Sequence, residues 1–285
     1  MKKLAFLLLL AVSFASQSPE SPAILTLEEA LKKDLIKIEI KGNGSSPHYA
    51  QPIKFTAKNL RNAPLNLQVL NGRQFHTLDE GVQDMLLVKS ELIVLAPNEE
   101  KTIPLSAMCI QKQNRGPSED EPYTLGAMAH QELLKLSQKI EEMQAYNTLG
   151  QYAVWSISNN SGLDQIAGFD EEEASQLQAY VSEITGRPIP KKDTTDYRTN
   201  YNRPYLAKRT VGGKFEYGLV KPSAVTIGLF NEDNIIVREL LNKPNTPRGD
   251  HKLNFEFDMA TYTDSVYFVR LIIDKEIKLS FKLAA

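Results

Sequence analysis

Apolar and polar residues alternate one by one along much of this chain, the period of a half-buried β-strand. The clearest case is "IKIEIKG" (36–42), with Ile36, Ile38 and Ile40 on one face and Lys37, Glu39 and Lys41 on the other. "PIKFTAKNL" (52–60), "LNLQVL" (65–70), "DMLLVKSELIVLAP" (84–97) and "KTIPLSAMCIQ" (101–111) continue the series, with turn residues at 62–64 and 97–98. Short strands at this spacing predict an antiparallel β-sandwich. Ahead of them, "TLEEALKKDL" (26–35) predicts a short helix with Thr26 as N-cap and Glu29 completing a capping box. Residues 16–25, rich in Ser and Pro, predict a flexible lead-in.

The period then changes. After a polar loop at 112–122, "LGAMAHQELLKLSQKIEEMQAY" (125–146) carries Leu133, Leu136, Ile140 and Met143 at helical spacing. A second short helix holds Gln151 and Trp155, with Thr148 and Gln151 in capping-box positions. A third, 170–186, opens on acidic residues suited to a helix N-terminus and closes at Gly186. Strand patterns return at 224–230, 234–240, 252–258, 266–273 and 277–283, with "NEDN" (231–234) as a hairpin turn. The expected fold is therefore β-rich with a helical subdomain. A sandwich plus helices occupies roughly 26–190, a polar linker 191–212, and a smaller β-sandwich 213–285.

With 285 residues the chain can bury a core in each part. A hydrophobic fraction of 42% and a charged fraction of 24% are those of a globular protein. The formal net charge of −2 and the absence of a basic stripe point away from nucleic acid. The first residues read as a secretory signal over 1–15: Lys2 and Lys3, the short apolar run Leu4–Val12, then Ser13-Phe14-Ala15 as a small-x-small cleavage site. That run is too short to span a bilayer, and no later stretch is apolar enough, so no integral membrane segment is expected in the mature chain. The expected location is secreted or at the outer cell surface.

Export makes the single cysteine, Cys109, conspicuous, because it has no disulfide partner within the chain. The usual catalytic patterns are missing. The four histidines are scattered, no metal-ligand spacing occurs, and neither a glycine-rich phosphate loop nor a GxSxG or HExxH motif is present. No cofactor is implied and a turnover enzyme is not expected. What remains is Cys109 with Gln151, the glutamine of "GQYAVW" (150–155), one helical turn before the only tryptophan, Trp155.

"GQYAVW" resembles the T-Q-x-A-[IV]-W signature of thioester domains from bacterial surface adhesins, with Gly150 in place of the threonine. In that family an upstream cysteine on a strand condenses with this glutamine, and "MCIQ" (108–111) stands in the corresponding place. The resemblance implies a Cys109–Gln151 thioester, shielded by Trp155, that transfers its acyl group to a protein amine such as a lysine. It also implies an adhesion role toward a surface ligand. The reading from the residues alone is packing: Cys109 as a small core hydrophobe and Gln151 as a helix cap. Both stay open at this stage, the second leaving a non-covalent structural or interaction module.

The C-terminal stretch 213–283 resembles the Ig-like domain of flagellar hook-capping proteins and the sorting domains of type IX secretion cargo. The matching pieces are the Val-Thr-Ile strand at 225–227, the "NEDN" turn, Gly249 before a strand and Tyr267 opening a late one. That resemblance implies a Gram-negative host, under which "DTT" (193–195) and "DSV" (264–266) resemble O-glycosylation sites. The alternative is a β-sandwich that serves as a spacer, since fold alone does not fix function.

Overall fold

The computed structural model describes residues 24–168, 170–190, 210–258 and 264–284. The signal stretch, residues 193–195, and Tyr197, Tyr201 and Tyr205, the linker aromatics through which a plain binding module is expected to act, lie outside them. The first half runs β1 (Ile24–Thr26), α1 (Leu27–Lys32), β2 (Ile36–Gly42), β3 (Ile53–Asn59), β4 (Leu65–Val69), β5 (Arg73–Thr77), β6 (Met85–Leu87) and β7 (Glu91–Leu95). It continues with β8 (Glu100–Leu105), β9 (Ala107–Cys109), β10 (Pro122–Met128), α2 (Gln131–Met143), α3 (Thr148–Ser158) and α4 (Glu171–Thr185). A C-terminal set follows: β11 (Thr210–Leu219), β12 (Ser223–Asn231), β13 (Ile236–Thr246), β14 (Gly249–Asp258), β15 (Val266–Ile273) and β16 (Glu276–Ala284).

The protein is β-rich with a few helices, as the alternation predicts. A three-stranded sheet, β1-β4-β7, faces a seven-stranded one ordered β8-β3-β2-β10-β5-β6-β9. The pairs are antiparallel except β1 with β4, which is parallel. Only Ser106 separates β8 from β9, yet these strands form the two edges of the large sheet. The sheet therefore curls until its edges meet, around a core that includes Phe55, Phe75, Leu67, Ile93 and Cys109. The C-terminal strands form a second β-layer pair, β11-β14 against β13-β12-β15-β16, enclosing Phe215, Val225, Ile227, Tyr267 and Val269.

Several expectations hold in detail. Thr26 caps α1, and Glu29 closes the capping box. Asp170 caps α4, and Gly186 ends it in the left-handed region, φ 68°. "NEDN" turns β12 into β13, with Asn234 at φ 62°.

Others are corrected. Residues 125–128 are strand, not helix: Tyr123, Leu125 and Met128 pair with β5, and that ladder outweighs the helical spacing, so α2 starts only at Gln131. The lead-in expected over 16–25 ends as strand, since Ile24 and Leu25 pair with Asn66 and Leu67. The stretches 84–97 and 101–111 each break into two strands that join different sheet positions. Strands β5 and β11 carry too many polar or glycine residues for the alternation to reveal them. The last three residues of the expected linker, 210–212, already belong to β11.

The two halves meet through the 43–52 loop. Its Tyr49 and Ala50 pack with Phe230, Ile236 and Ile272 of the C-terminal sheet. The register Glu239↔Gly228↔Arg270 places a glycine between two charged neighbours on that sheet. A side chain there would press on Ile236 and Phe230, two of the residues that pack against the loop.

Candidate functional site

Strand β9 is an edge, so one side of its backbone needs partners from elsewhere. Toward the sheet it pairs with β6, Cys109 opposite Met85. Toward the other side lies α3, and side chains of that helix take the place of a neighbouring strand. The Cys109 N–H donates to Gln151 Oε1 at 2.9 Å, and Gln151 Nε2 donates to the Cys109 carbonyl at 2.8 Å. Two turns later Ser158 Oγ and Asn159 Nδ2 donate to the Ile110 carbonyl, at 2.7 and 2.6 Å. The Lys112 N–H donates to Asn159 Oδ1 at 3.0 Å. Gln151 thus acts like a peptide unit of an added strand, and α3 is laced to the end of β9 and to the residues that follow it.

The fold therefore brings together the two residues singled out in the sequence, across 42 positions, with Cys109 and Gln151 both fully buried. Their contact runs through the carboxamide and the Cys109 backbone. The Cys109 thiol faces elsewhere, with Sγ 3.7 Å from the His48 carbonyl oxygen and 3.8 Å from Met85 Sδ. Burial pushes the thiol well above its usual pKa, which disfavours the thiolate that an acyl transfer needs.

Trp155 is buried beside this pair, stacked on the His48 ring at 5.7 Å with Lys112 Nζ 5.9 Å above its own ring. Gln151 is not a cap. Asn147 caps α3 instead, its side chain accepting from the Leu149 and Gly150 N–H groups, while the Thr148 hydroxyl donates to Glu239 Oε2 at 2.9 Å.

His48 is the site residue that sequence reasoning missed, since no spacing relates it to Cys109. It is 3% exposed, and its Nε2 accepts from the Ile236 N–H at 3.1 Å, which fixes the neutral ring with its proton on Nδ1. Nδ1 has no partner. Burial, helped by Arg270 and opposed by the nearby Gln151 side chain, holds His48 down at about 3. Across the same contact region, burial pushes the Glu239 carboxyl up to about 7, opposed by the Thr148 hydroxyl and the Asn242 side chain.

These two groups act on stability with opposite sign. The Glu239 contribution is full below its ordinary 4.5 and is lost as pH rises through 7. That of His48 is present above its ordinary 6.5 and is lost as pH falls toward 3. They oppose each other between those two ordinary values, so the Glu239 effect is read by difference. Between about pH 5 and 8, the wild type is expected to lose no more than about 3 kcal/mol relative to Glu239→Gln. Urea unfolding at each pH measures it, and parallel curves would show that Glu239 titrates normally.

Among the described residues no group of three or more His, Cys, Asp or Glu could hold a metal ion, and no helix is long and apolar enough to cross a membrane. No protein-family model matches the chain, and no curated protein matches it.

Proposed function

We propose that this chain is an exported bacterial protein that binds at or outside the cell surface without covalent chemistry, and that Cys109–Gln151 is a structural clamp. One observation carries this reading: both ends of the Gln151 carboxamide are used by the Cys109 backbone, and the thiol is turned away toward His48 and Met85. The export part rests on the N-terminal pattern of Lys2, Lys3 and the apolar run after them. The C-terminal unit is read as a lasting part of the mature protein. Its removal would uncover Tyr49 and Ala50 and take the N–H partner from His48.

A second reading, the thioester, is favoured by one specific observation, the meeting of Cys109 and Gln151 in a core closed by Trp155 and His48. Its chemistry balances. The Cys109 sulfur bonds to the Gln151 side-chain carbonyl carbon, the C–N bond breaks, and the thiol proton leaves with the nitrogen as ammonia. A lysine amine then displaces the sulfur, which regains a proton, and an amide to the target remains.

Intact mass before and after methylamine separates the two. The clamp predicts the plain mass of the processed chain, with no methylamine added. A mass short by one ammonia, rising by one methylamine and absent in Cys109→Ala, would replace it with the thioester.

A further inference from the structure

A cleft of about 590 Å³ lies between the helical region and the C-terminal four-stranded sheet. That is within the roughly 300–1,000 Å³ usual for ligand pockets. It is built from the 43–52 loop, the turn between α2 and α3, β13, and the turn between β15 and β16, which contribute Tyr49, Gln144, Tyr146, Glu239, Asn242 and Lys275 among others. Two polar atoms of these lining residues are buried without a hydrogen-bond partner, Tyr49 Oη and Glu239 Oε1. Tyr49 is only 4% exposed. The other Glu239 oxygen is held by the Thr148 hydroxyl, and the Asn242 side chain also lies against the carboxyl group, which fixes it in place.

The chemistry of these two atoms selects a partner. The carboxyl oxygen needs a donor, and the phenol needs an acceptor for its hydrogen. A hydroxyl supplies both at once. An ammonium supplies donors only, and an anion would meet the Asp170 and Glu173 carboxyl groups that also line the cleft. Around the pair, the Gln144 amide and the remaining capacity of the Asn242 amide offer further polar groups, while Tyr146, Leu149 and Ile272 add apolar surface. Polar edges beside apolar patches match a sugar ring, which has hydroxyl edges and C–H faces. We infer that this cleft binds a neutral carbohydrate, one hydroxyl of which bridges Tyr49 and Glu239. Both atoms are buried, so engagement requires a wall side chain to rotate. Lys275, whose Nζ stands 5.5 Å over the Tyr146 ring, is a long, flexible candidate for that movement.

The inference rests on the non-covalent reading above and names its ligand class. The test applies the full mature chain to an array of neutral plant, microbial and animal oligosaccharides, with each retained glycan followed by titration calorimetry. At least one neutral glycan is expected to bind. Glu239→Gln should weaken it by at least about tenfold, the weight of a hydrogen bond to a charged group, and Tyr49→Phe by about threefold to tenfold, that of a neutral one. Asn242→Ala, a milder change at the cleft wall, should also weaken it, with circular dichroism checking that all three variants are folded. No retained glycan, or binding indifferent to all three substitutions, would overturn the inference. Failure of the clamp reading shows separately, as a thioester in the intact mass.

Discussion

Gln151→Leu is expected to destabilise the protein by about 4 kcal/mol, whereas Cys109→Ala costs only about 1–2 kcal/mol. Leucine keeps much of the volume and the helical conformation but offers nothing to the Cys109 backbone. The N–H and carbonyl that Gln151 satisfies at 2.9 and 2.8 Å would then be buried without partners, at roughly 1–3 kcal/mol each. Removing the cysteine sulfur leaves both hydrogen bonds in place and creates only a small void beside Met85. Guanidinium unfolding of the two variants measures the asymmetry directly. A thioester gives a different pattern, because either substitution abolishes the same cross-link. Equal losses for the two variants would therefore count against the clamp.

That asymmetry also shows where sequence reading stopped. The pairing of Cys109 with Gln151 was visible only through a resemblance, and the way they pair was not visible at all. "TLGQ" carries the letters of a capping box, but Asn147, one position earlier, takes the cap because its side chain reaches the Leu149 and Gly150 N–H groups. Gln151 is thereby released to serve β9, an edge strand whose need for partners arises only once the sheet has curled. Ser158 and Asn159 are legible as a polar helix end, yet their partners, Ile110 and Lys112, are set by tertiary placement. His48 reaches the site through a loop, and loops carry no period. By contrast α1, α4 and β2 are local structures whose caps or alternation suffice, and they stand close to where the sequence puts them.

The most informative departure from the adhesin signature is Gly150, where the resemblance expects threonine. A Cβ added there would collide with the Ala145 carbonyl oxygen and lie 2.7 Å from Met108 Cε. The methionine end can move, but the carbonyl cannot. Ala145 is tied by its N–H to the Ile140 carbonyl at 3.0 Å, and Gln144 before it sits in the left-handed region at φ 54°. So α3 can accept a side chain at 150 only by backing away from the α2 turn or from β9. Gly150→Thr is expected to cost about 3–5 kcal/mol, above the ordinary range for overpacking because the obstacle is backbone. Gly150→Ala should cost less, since alanine regains about 1 kcal/mol of helix propensity while meeting the same carbonyl. Movement of α3 would also loosen the Gln151 bonds to Cys109, so the thiol of the threonine variant should react faster with an aromatic disulfide reagent than that of the wild type. Unfolding midpoints and thiol-reaction rates give the two readouts. A threonine variant as stable as the wild type, with its thiol equally protected, would mean that the α2–α3 turn relaxes freely. Close packing at Gly150 would then no longer explain why this chain departs from the signature.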